Sequence, residues 1–237
     1  MAKDARQLTL PWPVDARLEL DDFLVGEANA QALELVMRWP DWPEPVLRLA
    51  GPPGVGKSHL AAIFAKHAGA TRLAGVELDA DAVLGLDAAR PLVVDPCDRG
   101  LADEHALFHL LNRIRANRGS ALLVGALAPQ HWGLETADLV SRLRLSPVVE
   151  IAAPDDAMFK AILVKLFHDR QLVVDAAVVD YLALRLERSV ARAREIVGLL
   201  DGQALSLGRR ITRPMAAEVL RLAGSIGAIE SEGGDGE

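Results

Sequence analysis

Residues 51–58 read GPPGVGKS, and few eight-residue segments restrict a fold as strongly as this one. The segment matches the pattern G-x-x-x-x-G-K-[ST]; an apolar run, VLRLA, precedes it, and a helical pattern over residues 57–68 follows it. Glycines let a backbone wrap closely around a phosphate, and the N–H groups at the start of the helix then face the anion. The pattern therefore predicts a strand–loop–helix unit that binds the phosphates of a nucleotide.

Three side chains in and near this motif suit a magnesium nucleotide. Lys57 supplies a positive charge to the β- and γ-phosphates, and Ser58 offers a hydroxyl to Mg²⁺. Asp95 follows the apolar run LVV, where a site of this type needs an aspartate for the metal. Pro96 comes next and cannot act as a base, although Asp98 lies nearby. We therefore expect ADP or ATP to bind with Mg²⁺ at Ser58 and Asp95, with weak or no intrinsic hydrolysis.

Short apolar runs alternate with a helical pattern in the first two thirds of the chain. The runs at 91–95, 121–126 and 148–151 are predicted strands, and residues 104–118 between them have helical spacing. This alternation predicts an α/β fold with a parallel sheet flanked by helices. After Pro154 the pattern is helical only, with a plausible N-cap before each of four helices: Asp155, Asp175, Ser189 and Thr212. These helices predict a small all-helical lid domain.

The domain organisation follows from these patterns. We predict a flexible tail at 1–14, a nucleotide-binding core at 15–152, a helical lid at 153–225 and a disordered acidic tail at 226–237. The loop at 39–45 carries two tryptophans, which either cover the core or contact a partner.

Composition and charge exclude several classes of protein. Acids outnumber bases by 33 to 26, and a net charge of −7 does not suit a non-specific DNA binder. The single cysteine, Cys97, excludes a disulfide framework and a four-cysteine zinc site. His105 and His109 are four residues apart but have no evident third metal ligand, so ordinary helix residues are favoured. The N-terminus has no apolar signal region, and no apolar run could span a bilayer. These features predict a cytoplasmic protein with no membrane partner.

Taken together, these motifs resemble the AAA+ ATPases of the DnaA group over residues 20–222. The matching segments are GPPGVGKSHL, a strand that ends in Asp95, the all-helical lobe, and DFLVGEAN at 22–29, which is similar to the family segment that lines the adenine pocket. The resemblance implies an AAA+ P-loop core followed by a helical lid. It also implies the nucleotide-binding residues Leu24, Val25, Pro52, Pro53, Gly54, Val55, Gly56, Lys57, Ser58, His59 and Arg194.

Two arginines take their expected roles from this resemblance. LVSRL at 139–143 is similar to the family's arginine-finger box, which makes Arg142 the candidate catalytic residue, although Arg144 is close enough to leave the register open. Arg194 resembles the sensor 2 arginine of the lid, and Arg192 would point elsewhere because it lies about 200° away around a helix. Ala126 and Leu127 lie where the family usually has a polar sensor 1 residue. Their apolar side chains also argue against hydrolysis by this chain alone.

Within the DnaA group, the chain resembles the Hda family of regulatory inactivators of DnaA. From the length of the chain and its charge of −7 we expect no DNA-binding domain like that of DnaA, and QLTLP at 7–11 resembles the motif that docks replication proteins on the β sliding clamp of DNA polymerase III. The peptide would insert a polar anchor, Gln7, and the apolar residues Leu8, Leu10 and Pro11 into a surface pocket. The resemblance implies a negative regulator of replication initiation. It would dock on the DNA-loaded clamp and stimulate hydrolysis of DnaA-bound ATP. It would associate with DNA only through the clamp.

Two other functions remain open at this point. A self-contained, DNA-stimulated ATPase or helicase-loading factor would act as a homo-oligomer with its own turnover. A non-catalytic adaptor would recruit DnaA without promoting hydrolysis.

Overall fold

The structure is a computed structural model that describes residues 20–232, with side chains described as far as residue 224. The chain divides into two compact units between Ala153 and Pro154. The unit before this boundary, called the core unit below, contains a β-sheet with helices, whereas the part from Pro154 onward, called the helical unit, contains helices alone among its described residues.

The core unit is built on a parallel sheet. Its strands are β1 (Val46–Ala50), β2 (Thr71–Leu73), β3 (Leu92–Val94), β4 (Ala121–Val124) and β5 (Val148–Glu150). The strands lie in the order β2-β3-β4-β1-β5, and each neighbouring pair is parallel. The carboxyl ends of all the strands therefore meet at one edge of the sheet. At that edge the ends of β1, β4 and β3 are adjacent.

Helices cover both faces of this sheet. They are α1 (Ala30–Met37), α2 (Lys57–Ala68), α3 (Ala80–Gly85), α4 (Glu104–Ala116) and α5 (Ala137–Leu145). Successive strand residues point to opposite faces. Leu122 and Val124 accordingly pack in a core cluster with α1 and α2. Ala121 and Leu123 pack in a second cluster with α3, α4 and α5. Both faces are buried, which explains why β3 and β4 are continuous apolar runs and why β1 is apolar apart from the buried Arg48.

The predicted fold class is confirmed, because a parallel sheet flanked by helices precedes an all-helical part. The sequence patterns identified four of the strands and missed β2. Thr71 and Arg72 are exposed and Leu73 is only half-buried, because β2 is an edge strand that pairs on one side only. A strand of this kind has no apolar run for a pattern search to find.

Trp39 and Trp42 cover the outside of helix α2. The ring of Trp42 stacks on Phe64 at 5.0 Å, and its Nε1 donates to the carbonyl of Val36 at 3.1 Å. Trp39 meets Phe64 edge-on at 6.2 Å and donates from Nε1 to Ser120 Oγ at 2.9 Å. Each indole thus has an apolar neighbour and a hydrogen-bond partner, which favours the core-covering role over the partner-binding one.

The helical unit contains α6 (Asp156–Asp169), α7 (Ala176–Ala183), α8 (Val190–Leu207) and α9 (Arg213–Glu232). Asp155 and Ser189 cap α6 and α8 as side-chain acceptors, whereas Asp175 makes no side-chain cap bond at α7. Helix α9 continues to Glu232 and so includes residues that the sequence assigned to a disordered tail from 226. No helix of the described chain is both long and apolar enough to cross a membrane.

Candidate functional site

The loop of residues 51–56 connects β1 to α2 at the carboxyl edge of the sheet. Gly51, Gly54 and Gly56 have φ values of 139°, 75° and 110°, which residues with side chains rarely adopt. A Cβ at Gly51 would also lie 2.2 Å from the carbonyl oxygen of Ile151. These glycines are therefore required by the backbone, and the loop leads directly into the N-terminus of α2. Such a junction presents N–H groups and the positive end of a helix dipole to an anion.

The side chain of Lys57 lies inside this loop. Its Nζ donates to the carbonyl oxygens of Gly51 at 2.7 Å and Pro52 at 2.8 Å. Burial lowers the pKa of Lys57, while the negative charges of Asp98 and Asp95 act to raise it. Both carboxylates are thus close enough to influence the lysine. The arrangement suits a cation that contacts bound phosphates.

Asp95 directly follows β3, and Ser58 lies in the first turn of α2. The backbone N–H of Asp95 donates to the carbonyl of Leu73 at 3.0 Å, which fixes the strand end, and the residue is half-buried. A carboxylate and a hydroxyl are hard oxygen ligands, and Mg²⁺ is commonly held by one or two protein groups together with phosphates and water. Among the described residues there is no group of three or more His, Cys, Asp or Glu side chains arranged for a metal. Ser58 and Asp95 therefore fit a magnesium that bound phosphates would help to hold.

Asp98 is a site residue whose place the sequence left open. Its Oδ2 accepts a hydrogen bond from the backbone N–H of Ala126 and another, at 2.8 Å, from that of Leu127. The carboxylate thus joins the loop after β3 to the loop after β4. Gly125 leaves space for this contact, since a Cβ there would lie 3.3 Å from Asp98 Cγ and 3.3 Å from a ring carbon of Trp132. A pattern search could not find this contact because it joins residues 28 positions apart.

The end of β4 itself offers only backbone polar groups. Ala126 and Leu127 carry no polar side chain, and Asp98 already accepts from both of their N–H groups. Next to Asp95, Pro96 likewise has no side-chain donor or acceptor. The carboxylate that contacts the end of β4 in the described part of the chain is that of Asp98.

Residues 23–29 form a second part of the site, next to the phosphate loop. Asn29 is buried; its Oδ1 accepts from Gly26 N at 2.9 Å and its Nδ2 donates to the carbonyl of Leu24 at 2.8 Å. These bonds hold the segment in a compact turn. Phe23 meets the His59 ring edge-on at 5.3 Å. The structure thus brings Leu24 and Val25 near the helix that carries Lys57, with Val25 55% exposed.

Arg142 lies on α5 and contacts neighbouring side chains of the core unit. Its Nη2 is 2.9 Å from Asp138 Oδ2, and its Nη1 donates to Asn112 Oδ1 at 3.0 Å. Its Cζ lies 4.9 Å from the centre of the Phe108 ring. Arg144, two residues further along, is exposed, and its side chain has no hydrogen bond or ion pair to any described residue. The two arginines therefore differ clearly in their surroundings.

Arg194 lies on α8 of the helical unit. Neighbouring Arg192 donates from Nη1 to both carboxylate oxygens of Glu195 at 2.7 Å, whereas Arg194 has no such bond within the described chain. This difference is compatible with Arg194 as the residue free to contact a ligand. The candidate clamp-binding residues Gln7, Leu8, Leu10 and Pro11 lie outside the described residues.

Comparison with known proteins places the fold. No protein-family model matches the chain. Domain III of the replication initiation protein DnaA from Thermotoga maritima has a TM-score of 0.74 at 19% identity, over 89% of this chain and 98% of that one. AMPPCP-bound DnaA from Aquifex aeolicus has a TM-score of 0.63 at 23% identity, over 81% of this chain and 68% of that one. The RuvB Holliday junction branch migration motor of Thermotoga maritima has a TM-score of 0.66 at 22% identity, over 86% of this chain and 71% of that one.

These likenesses define the class of fold. The chain has the AAA+ fold, with a parallel sheet flanked by helices and a C-terminal helical part, as in the corresponding parts of DnaA and RuvB.

Proposed function

We propose that this chain is a nucleotide-bound AAA+ regulator of the Hda type, which lowers replication initiation by promoting hydrolysis of DnaA-bound ATP. The observation that carries the proposal is a contrast at one edge of the sheet. The loop after β1 has three glycines at positive φ and the Lys57 side chain inside it, which supports nucleotide binding there. The ends of β3 and β4 have Pro96 and Ala126 where a self-sufficient ATPase would need polar side chains. Such a protein can hold a nucleotide yet depend on a partner for hydrolysis.

ADP or ATP with Mg²⁺ is the proposed cofactor. Phosphates would contact the loop of residues 52–56 and Lys57, the metal would contact Ser58 and Asp95, and the base would lie near Leu24, Val25 and His59. Arg194 would contact the phosphates from the lid. The similarity to AMPPCP-bound DnaA supports nucleotide binding by a fold of this kind.

The partner would be ATP-bound DnaA, brought close by the sliding clamp. Residues 7–11 would dock the chain on the clamp loaded on DNA. The chain would associate with DNA only through the clamp. Arg142 would then enter the nucleotide site of DnaA, where a guanidinium stabilises the charge that develops during phosphoryl transfer. The site of action would be the cytoplasm, and homo-oligomers are compatible with this scheme.

Hydrolysis of ATP pre-bound to DnaA is the measurement that tests the proposal. The wild-type chain should accelerate hydrolysis only when the clamp and DNA are present. Arg142→Ala should lower the accelerated rate at least about 10³-fold, in line with the usual contribution of an arginine finger. Arg144→Ala is the matched control and should retain activity. Gln7→Ala should abolish clamp binding but leave nucleotide affinity unchanged.

The similarity to the RuvB motor favours a second candidate, a self-contained DNA-stimulated ATPase or helicase-loading factor. In that case the chain alone would turn over ATP in the presence of DNA, and DnaA-bound ATP would be unaffected. An Arg142→Ala variant as effective as wild type with DnaA would instead favour a non-catalytic adaptor.

A further inference from the structure

One face of helix α4 carries three side chains that all contact α5 or the residues just before it. Glu104, Phe108 and Asn112 are spaced four residues apart, so they form a row on one side of the helix. This row is called the α4 row below. It lies on the side of α4 that contacts α5, the helix that carries Arg142. None of its members was identified as a functional residue from the sequence.

The first member of the α4 row fixes the start of α5. The Glu104 carboxylate accepts hydrogen bonds from Glu135 N at 2.7 Å, Thr136 N at 3.4 Å and Thr136 Oγ at 2.5 Å. Thr136 is the N-cap residue of α5, and it makes no side-chain cap bond within its own helix. The carboxylate thus takes N–H groups at the start of α5 that would otherwise lack a protein partner.

The other two members hold the guanidinium of Arg142. The Phe108 ring lies under its Cζ at 4.9 Å, and Asn112 Oδ1 accepts from Nη1 at 3.0 Å. The guanidinium carbon lies over the ring and the amide oxygen accepts from one guanidinium nitrogen, so these two contacts together constrain the side chain. The side chain is nevertheless 35% exposed. Exposed Arg144, without such contacts in the described chain, keeps the rotamer freedom that an arginine must lose before it can act.

We propose that Phe108 and Asn112 are positioning residues, which hold Arg142 in the orientation required to act on a nucleotide bound by a partner protein. The inference rests on the proposed function, because it assigns Arg142 the role of the trans-acting arginine. An arginine that is already oriented before the two proteins bind can contact a phosphate without losing further rotamer entropy. A misplacement of about 1 Å can lower a reaction rate by ~10²-fold.

The test uses the full chain in the assay with DnaA, clamp and DNA, over a range of concentrations of this protein. Asn112→Ala removes the acceptor, and Phe108→Leu removes the ring face while keeping an apolar side chain against the core. Each should lower the maximal rate of DnaA-bound ATP hydrolysis by roughly 10- to 100-fold. The concentration for half-maximal effect should stay within about twofold, since complex formation does not need the oriented arginine. Asn112→Asp keeps an acceptor and should restore most of the rate.

Arg113→Ala provides a structural control on the same helix. Arg113 neighbours Asn112 but donates to the carbonyl oxygens of Val83 and Leu86, away from α5. This variant should lower the thermal unfolding midpoint without lowering the maximal rate. If Asn112→Ala and Phe108→Leu lower the rate only as far as Arg113→Ala does, the positioning role is wrong.

A double-mutant cycle separates this inference from the proposed function. In an Arg142→Ala background, Asn112→Ala should have no further effect, because its role depends on the arginine. If Arg142→Ala is inactive while Asn112→Ala and Phe108→Leu reach the wild-type maximal rate, only the positioning role is overturned. If Arg142→Ala activates as well as wild type, the proposed function fails, and the positioning role fails with it.

Discussion

The carboxyl end of β1 and the carboxyl ends of β3 and β4 lie side by side, yet they are built in different ways. At the end of β1 the proposed phosphate site is formed mainly by backbone, with three glycines in conformations that side chains disfavour and one lysine inside the loop. At the ends of β3 and β4, the backbone N–H groups of Ala126 and Leu127 are bound by the carboxylate of Asp98. The first region suits an anion, whereas the second is occupied by an internal contact.

Nucleotide binding and nucleotide hydrolysis place different demands on such an edge of the sheet. Binding needs the loop, the helix N-terminus and a cation, all of which are local to residues 51–58. Hydrolysis in addition needs polar groups placed by neighbouring strands. A chain that keeps the first set can remain a nucleotide-controlled binding protein after it has lost the second.

The largest expected effect is on the phosphate loop itself. Lys57→Ala should weaken nucleotide binding by roughly 100-fold, because it removes charge-assisted bonds worth about 2–3 kcal/mol. Titration of a fluorescent nucleotide measures this change. Lys66→Ala, on the exposed side of the same helix, is the control and should bind as wild type does. Equal affinities of Lys57→Ala and wild type would mean that the loop does not hold the phosphates.

A smaller effect is expected at the end of β3. Asp95→Asn should weaken binding of a magnesium nucleotide about tenfold, or ~1.4 kcal/mol, since a neutral amide is a poorer ligand for Mg²⁺. Binding measured in excess chelator should be unchanged or tighter, because the variant removes a negative charge near Lys57. A loss of equal size with and without Mg²⁺ would place Asp95 outside the metal site.

The internal contact of Asp98 gives the third prediction, on stability. Asp98→Ala should lower the free energy of unfolding by ~1 kcal/mol, because two backbone N–H groups lose their acceptor. The loss stays this small because Leu127 is exposed, so that its N–H can donate to water instead. Asp98→Asn keeps an acceptor oxygen and should be less destabilising. Denaturant unfolding measures both variants. An Asp98→Ala protein as stable as wild type would show that this contact does not stabilise the fold.

The comparison also explains how much could be predicted from the sequence. The loop at 51–58 was found because its requirements are local: positive φ at glycines and a helix that starts at Lys57. The buried strands were found because both of their faces are covered. Edge strand β2 was missed because it buries little, and the contact of Asp98 with the end of β4 was missed because only the folded sheet brings these residues together. The structure gives the positions of the predicted nucleotide-site residues and of Arg142, whereas residues 7–11 lie outside the described part of the chain, and the roles of all of them stay predictions.

The smallest expected effect concerns Glu104 in the α4 row and depends on pH. Hydrogen bonds from the Thr136 hydroxyl and the Glu135 N–H lower the pKa of Glu104 below its ordinary value of 4.5. The carboxylate therefore stabilises the folded state above the pKa that it has in the unfolded chain, and this contribution is lost as the pH falls through the lower pKa of the folded state.

Glu104→Gln should accordingly be slightly less stable than wild type at pH 7, and the difference should shrink as the pH falls below 4.5. Unfolding measured by circular dichroism at several pH values checks this expectation. Glu44→Gln, at an exposed glutamate elsewhere in the core unit, is the control for the general effect of acid. A difference in unfolding free energy between Glu104→Gln and wild type that stays constant down to low pH would show that the charge of Glu104 does not anchor α5. The α4 row would then begin at Phe108, and Arg142 would depend on its direct neighbours alone.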